Sequence, residues 1–556
     1  MRFVSLLLPI SIASSLVLAA CGAGKRSGFD DEANGNGASS DPNLPGGGTG
    51  FGPGGGGGDD PGADDRDPVT CEEAAKARSY VGCDYWPTVT GNVVPDIFDF
   101  AVVVSNIGLV PVDVRVTGPN GVDQQVSIPP ASLEKIFVPW VASLKGGAQR
   151  PGQEPPPFTS SILAKKGAYH LVSSAPVVVY QFNPLEYAGK GGPSGKSWAS
   201  CPELGEKGSG CFSYSNDASL LLPSTAWTGN YRLTGIHGWT VPGLGFIPER
   251  HLMGTYAAIT AAHDGTVVKL GLGPKAKVVA GDGIAATDAG GLLEIALDAG
   301  DVAEVVTDKG QAFDLSGTLL QSNHPVQVIS GIQCINIPRD KPACDHVEES
   351  VLPAEALGKA YVVTTPTRPK GGLGLHVVRF VGNRDGTALT YAPEKPAGCP
   401  DTLDAGQVAD CAGEVGTDFI VKGTQEFSLA SFMVGSTMYG DLSPKAMGDP
   451  SQTTFASIEQ FRKRYLFLVP DDYDVSYAVV VGPEAAAPHM DGSPLADYTP
   501  LADGMGVWRV TMTSGPHTLT SELPVGLQAM GYGAFTSYAF PGGLNLKIIA
   551  PPPTTK

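Results

Sequence analysis

The sequence predicts an all-β protein, built as tandem repeated antiparallel β-sandwich-like units with few short helices. Three observations lead there. First, 73 glycines and 47 prolines are spread along 556 residues, a density that breaks long helices and favours short strands joined by turns. Second, a signature Leu-x-Ser-x-x-Pro-Val returns along the chain. Third, Asp-Gly-Thr turns stand between apolar runs, where Asp-Gly supplies the positive φ angles of a two-residue turn.

The chain opens with Arg2 and an apolar run from Phe3 to Leu18, the charged and hydrophobic parts of an export signal over residues 1–20. The run is short, contains Pro9 and leads into small residues, which suits cleavage better than a transmembrane anchor. Leu18-Ala19-Ala20-Cys21 resembles the lipobox of a bacterial lipoprotein, which implies lipidation of Cys21. Residues 21–68 hold almost no large apolar side chains and a glycine run from Gly54 to Gly58. Such a segment cannot bury enough surface to fold, and as a Gly/Asp-rich disordered tether it would reach about 40 Å. Gly22 after the lipidated cysteine points to the outer membrane, at its cell-surface or periplasmic face.

The signature then organises the remainder. It stands at Leu171/Ser173/Pro176/Val177, Leu320/Ser322/Pro325/Val326 and Leu519/Ser521/Pro524/Val525, with a degenerate copy at Leu429, Ser431 and Val434. It reads as strand, tight turn, strand: serine bonds the turn backbone, and proline opens the next strand where its missing N–H matters least. Asp264-Gly265-Thr266 and Asp385-Gly386-Thr387, with Asp491-Gly492-Ser493 as a looser relative, predict antiparallel hairpins. Pro223 to Tyr231 and Pro353 to Tyr361 share one spacing, and Lys463-Arg464-Tyr465 echoes its end, each tyrosine starting a strand. These marks divide the chain into β units 69–228, 229–356, 357–462 and 463–550 and a tail 551–556. Propeller blades are the alternative architecture, disfavoured by unit length. Helical stretches are expected at Glu72–Tyr80 and Thr453–Arg464.

Beyond Cys21, eight cysteines fall into four close pairs: Cys71 with Cys83, Cys201 with Cys211, Cys334 with Cys344, and Cys399 with Cys411. In an exported chain these read as disulfides, each closing a short loop for roughly 3 kcal/mol. They are expected to staple loops and not to belong to the core. No pair has the Cys-x-x-Cys spacing of a zinc site.

Asn216-Asp217-Ala218-Ser219-Leu220-Leu221-Leu222-Pro223, Trp227, and Cys344-Asp345-His346-Val347-Glu348-Glu349 followed by Leu352-Pro353 and Leu357-Gly358-Lys359-x-Tyr361 carry a family likeness. In these stretches the chain resembles the N-terminal domain of the IgGFc-binding protein family. That resemblance implies a secreted, disulfide-stabilised recognition or adhesion domain.

A formal charge of −19 argues against nucleic acid as a partner. The expected partners are the membrane, through the lipid, and a protein or glycan ligand. No catalytic residue set emerges. Lys190-Gly-Gly-Pro-Ser-Gly-Lys-Ser197 falls short of a phosphate-binding loop, because Lys190 replaces the first glycine and no helix follows. Trp198, Trp227 and Trp239 near unit junctions are the candidate ligand surface, with plugs for the sandwich ends as the plainer reading. Asp345, His346, Glu348 and Glu349 form the densest polar cluster. Calcium is the one cofactor this cluster suggests; the plainer reading has Asp345 capping a turn, His346 beside the staple and the glutamates in solvent. The function that follows is lipid-anchored, non-catalytic recognition. A carbohydrate-directed hydrolase and a scaffold subunit of an envelope assembly are the alternatives.

Overall fold

The computed structural model describes residues 67–553 apart from 107, 205–209, 442, 444 and 445. The export signal 1–20, Cys21 and the tether as far as residue 66 lie outside the described residues. Asp67, assigned to the tether, is instead pinned by ion pairs to Arg462 and Arg464 at 2.9 and 2.7 Å.

Helix α1 (Cys71–Ala77) opens the fold, with Thr70 Oγ1 accepting from the Glu73 N–H as its cap. The strands follow in four sets. The first set is β1 (Gly82–Tyr85), β2 (Phe100–Asn106), β3 (Val112–Gly118), β4 (Val122–Ile128), β5 (Ser132–Val138), β6 (Ile162–Ala164), β7 (His170–Phe182) and β8 (Ala218–Leu220). The second is β9 (Thr228–Arg232), β10 (Trp239–Val241), β11 (Arg250–Met253), β12 (Tyr256–Ala261), β13 (Thr266–Gly271), β14 (Leu292–Leu297), β15 (Val302–Val306), β16 (Leu319–Ile335) and β17 (Asp345–Ser350). The third is β18 (Ala360–Val363), β19 (His376–Gly382), β20 (Thr387–Ala392), β21 (Thr402–Leu403), β22 (Val408–Asp410), β23 (Phe419–Gly423), β24 (Phe427–Met433) and β25 (Gln452–Thr454). The fourth is β26 (Arg462–Val469), β27 (Val475–Pro483), β28 (His489–Met490), β29 (Ser493–Pro494), β30 (Thr499–Ala502), β31 (Met505–Met512), β32 (Gly515–Gly533) and β33 (Thr536–Pro541).

Apart from β6, which joins the second set's sheet through β15, and the separate β10-β11 ribbon, each set makes one sandwich with the same core strand order. In the third, an outer sheet β18-β23-β20-β21 faces an inner sheet β22-β19-β24-β25. In the other three, one long strand (β7, β16 or β32) serves both sheets. Its first half pairs in the outer sheet and its second half in the inner one, as β16 does with β13 and then β12. The bend falls on the recurring signature. Ser173, Ser322 and Ser521 donate their hydroxyls to the carbonyls of Ala175, His324 and Leu523, and the proline follows where the strand changes sheet.

One tyrosine locks each bend. Tyr85, Tyr231, Tyr361 and Tyr465 lie opposite Leu171, Leu320, Val421 and Leu519. Their hydroxyls donate to the carbonyls of Val177, Val326, Phe427 and Val525. This register corrects the degenerate copy: its true equivalent runs from Val421 to Phe427, not from Leu429 to Val434. Gly423 and Glu426 replace serine and proline there, which hid it. Tyr361 also accepts from the Gly358 N–H at 3.3 Å and is 1% exposed. Tyr361→Phe leaves a buried donor and acceptor unpaired, so urea melts are expected to show a loss of about 1–3 kcal/mol.

Two of the Asp-Gly turns are not hairpins. β12 pairs with β15 and β16 whereas β13 pairs with β14 and β16, so Asp264-Gly265 carries the chain from inner to outer sheet. Asp264 and Asp385 instead accept from the N–H groups of Ala299 and Ala405 in the next sheet-to-sheet turn. Asp491-Gly492, with φ of 50° and 80°, does join a hairpin, β28 to β29. The helix expected at 453–464 is likewise absent. Strands β25 and β26 occupy it, joined by a 3-10 turn at Ile458–Gln460, because the repeat imposes there the same turn as at Ser224–Ala226 and Ala354–Ala356.

The four sandwiches close into a ring. Alternate residues of each inner sheet face opposite ways: Val102 and Val104 line their own sandwich, while Ala101 and Val103 pack on the core of the fourth. Tyr256 and Ala258 of the second pack on the first, Phe432 of the third joins Ile332 of the second, and Val479 of the fourth joins Ile420 of the third. The last strand of each set is innermost, with β8 beside β17, β17 beside β25, β25 beside β33 and β33 beside β8. The ends clasp, Tyr80 N–H donating to Leu544 O.

All four disulfides form with the pairing read from the sequence: Cys71 to Cys83, Cys201 to Cys211, Cys334 to Cys344, and Cys399 to Cys411. Their placement departs from that of simple loop staples. Cys71 opens α1 and Cys83 lies on β1, so the first bridge fastens the helix to the sheet. Cys201 and Cys211 do flank a loop, outside any strand. Cys334 stands near the end of β16, buried in the core shared by the second and third sandwiches. Cys399 and Cys411 both belong to the core of the third sandwich, because the connections β20 to β21 and β22 to β23 fold inward over it.

Candidate functional site

A cleft of about 860 Å³ opens between the second and third sandwiches. Its floor exists because two glycines meet. Gly317 and Gly406 have φ of 84° and 79°, and a Cβ on Gly317 would stand 2.2 Å from Gly406 O. The walls carry Leu272, Leu292 and Leu319 on one side and Val408 on the other, with Lys269 and Lys275 at the rim. Leu292 is 67% exposed.

Arg232, at the end of β9, lies against this floor. It is 6% exposed, donates Nη1 to Gly317 O at 3.0 Å, and leaves its buried Nε without a partner. Burial pushes its guanidinium down to about 10, with the Asp385 carboxylate acting the other way. An incompletely paired guanidinium at the foot of an apolar cleft is suited to a carboxylate. Asp314, also in the lining, is already engaged: Arg379 donates Nη1 to it at 2.8 Å and Nε and Nη2 to Asp410 at 2.7 and 2.8 Å.

The polar stretch at 345–349 lies elsewhere, in β17 at the centre of the ring. Asp345, His346, Glu348 and Glu349 are all at most 2% exposed, which overturns the expectation that the glutamates face solvent. Strand alternation sends Asp345 and Glu349 to one face and His346 and Glu348 to the other, so the four do not make one cation site. Among the described residues no three His, Cys, Asp or Glu side chains are placed to hold a metal ion.

Instead these groups weld the sandwiches together. Glu348 accepts from Gln181 Nε2 and Ser219 Oγ of the first sandwich at 3.0 and 3.2 Å, and from Thr90 Oγ1. Asp217, which sequence reasoning passed over, accepts from four donors: the N–H groups of Ala218, Glu348 and Gln452 and the Ser451 hydroxyl. Burial drives the carboxyls of Asp217, Asp345, Glu349, Glu304 and Asp449 well above the usual range. Only the ring closure that puts β17 between β8 and β25 makes this visible.

The three tryptophans do not form a common platform. Trp227 lies in the core shared by the first and fourth sandwiches, donating Nε1 to Leu222 O, and Trp239 in that between the second and third. Trp198 is half-buried under Lys196, whose ammonium is 4.0 Å from the ring centroid. Lys196 also pairs with Asp99 and Glu186, so the near-match to a phosphate loop is a structural tie.

The family model described as IgGFc binding protein matches residues 217–531, from Asp217 to near the end of β32, and so spans both the cleft and the buried carboxylates. No curated protein matches the chain.

Proposed function

Since the chain belongs to the IgGFc binding protein family, we propose that it is a lipid-anchored cell-surface recognition protein that seats a carboxylate-bearing segment of a protein ligand beside Arg232. The observation that carries this reading is the cleft lining that joins the Arg232 guanidinium, bonded to Gly317 O, with exposed Leu292, a charge to orient the ligand and an apolar wall to hold it. The Leu18-Ala19-Ala20-Cys21 sequence supports the lipid anchor, and the four disulfides support an oxidising compartment. No helix among the described residues is long and apolar enough to cross a membrane.

The hydrolase reading needs a pair of free carboxylates on a cleft: Asp217, Asp345, Glu348 and Glu349 are sealed, and of the two acids lining the cleft Asp314 is held by Arg379 while Asp404 accepts from the Gly386 N–H. The scaffold reading draws support from the tip between β10 and β11, where Leu244, Phe246 and Ile247 are 78%, 99% and 52% exposed.

The test is capture by the full chain of IgG Fc, the ligand in the family's name, and of a panel of acidic peptides and glycans. Leu292→Arg is expected to weaken capture at least about tenfold, and to change stability by no more than about 0.5 kcal/mol as a surface substitution. Undiminished capture by this variant would remove the cleft from the function. Added protease on intact cells is expected to cleave the chain, and full protection would place it at the periplasmic face.

A further inference from the structure

Oxygens without donors collect beneath the loop closed by Cys334 and Cys344. Asp345 follows this staple directly; one of its carboxylate oxygens accepts from the Asn216 N–H at 2.6 Å and the other has no partner. Asp449, just before β25 of the third sandwich, has no partner on either oxygen. The two side chains are 0% and 1% exposed, and β17, which Asp345 opens, lies beside β25, which Asp449 precedes. The buried Tyr473 hydroxyl is also unpartnered.

The hollow next to Asp449 is kept open by a missing side chain. The position a Cβ would take on Gly435 is 3.4 Å from Asp449 Oδ1, 3.7 Å from Ile337 O and 3.9 Å from Pro342 O. Both carbonyls belong to the stapled loop, where Ile337 O also accepts from the Gly435 N–H at 2.8 Å and Pro342 is exposed. Two buried carboxylates in a dry interior lose hydration, a cost that a bound cation offsets.

We propose that Asp345 and Asp449 bind a calcium ion, with neutral oxygens of the Gly435 hollow filling out its shell. The donors are all oxygen, which suits a hard cation and not zinc or copper. An irregular mixture of carboxylate and carbonyl suits calcium, whereas magnesium demands near-octahedral geometry and retains its waters. The disulfide then has a second use, holding the Ile337 and Pro342 carbonyls over the third sandwich. The site differs from the sequence-level cluster, since His346, Glu348 and Glu349 take no part.

The experiment uses the full chain, stripped with EDTA and then titrated with Ca²⁺. Readouts are metal content by mass spectrometry, thermal melting, and Tb³⁺ luminescence excited through tyrosine. About one ion per chain is expected, with a higher Tm in Ca²⁺ than in EDTA. Asp449→Asn is expected to weaken Tb³⁺ and Ca²⁺ binding at least about tenfold and to make the two melts coincide. Asp340→Asn, in the exposed part of the same loop, is expected to bind as the parent does. Wild-type protein that retains no ion and melts identically in Ca²⁺ and EDTA overturns the proposal, as does parental binding by Asp449→Asn. The wild-type measurements decide the matter by themselves if the variant does not fold.

Discussion

Replacing Arg379 by alanine is expected to destabilise the protein by about 3–5 kcal/mol in urea melts at neutral pH. The guanidinium lies on β19, 3% exposed, and ties Asp410 of its own sandwich to Asp314 and the Gly235 carbonyl of the second. Removing it leaves Asp314, itself 2% exposed, as a buried charge with no counter-ion, and an uncompensated charge costs more than the pair contributes. Burial works to raise the Asp410 carboxyl, yet the hydrogen bond and charge of Arg379 hold it below the usual range. A depressed folded value gives stability that is present above the unfolded value near 3.9 and lost as pH falls through the folded one. The gap between parent and Arg379→Ala is therefore expected to narrow as melts are taken from pH 7 towards pH 3. A gap that stays constant would show that packing, and not charge, carries the effect.

Asp217→Ala is expected to cost as much, about 3–5 kcal/mol, because one side chain serves donors from three sandwiches. Asp217→Asn has one carbonyl oxygen for those donors and turns an NH₂ towards N–H groups, so a loss of about 2 kcal/mol or more is expected for it too. Hydrogen exchange gives the diagnostic readout. The amides of Glu348 and Gln452 lose their shared acceptor and are expected to exchange faster than amides within the outer sheets. Equal protection across the ring would deny Asp217 this linking role.

The sequence already carried the strand-rich architecture, the four disulfides and the tyrosines, because each is written locally. Turn residues, close cysteines and a seven-residue signature report on their immediate surroundings. The relation between sheets was not written locally. Asp264-Gly265-Thr266 has hairpin chemistry, but whether the outgoing strand pairs with its predecessor depends on the long strand β16 that separates them. Spacing likewise paired Cys399 with Cys411 yet gave no sign that both would be buried, since the core they join is assembled from β18 to β24. The stretch from Asp345 to Glu349 reads as polar and exposed until neighbouring strands cover both faces. Thr453 to Arg464 lacks any strong strand period, and its fate was decided by packing against β24 and β32. Arg232 gave no signal at all, since its significance lies in the Gly317–Gly406 approach that brings distant segments together.

Closure of the sandwiches upon themselves also bears on descent. A solenoid can lengthen or shorten at its free ends, each event exposing no more than one new face. Here every module abuts two others, and the first is held by the last through Tyr80 and Leu544. Unequal recombination that deleted or added a module would lay bare two apolar flanks together and misalign the carboxylates on the axis. Diversification in such a lineage is thereby directed into loops, such as the insert bearing Leu244 and Phe246, and away from the number of modules.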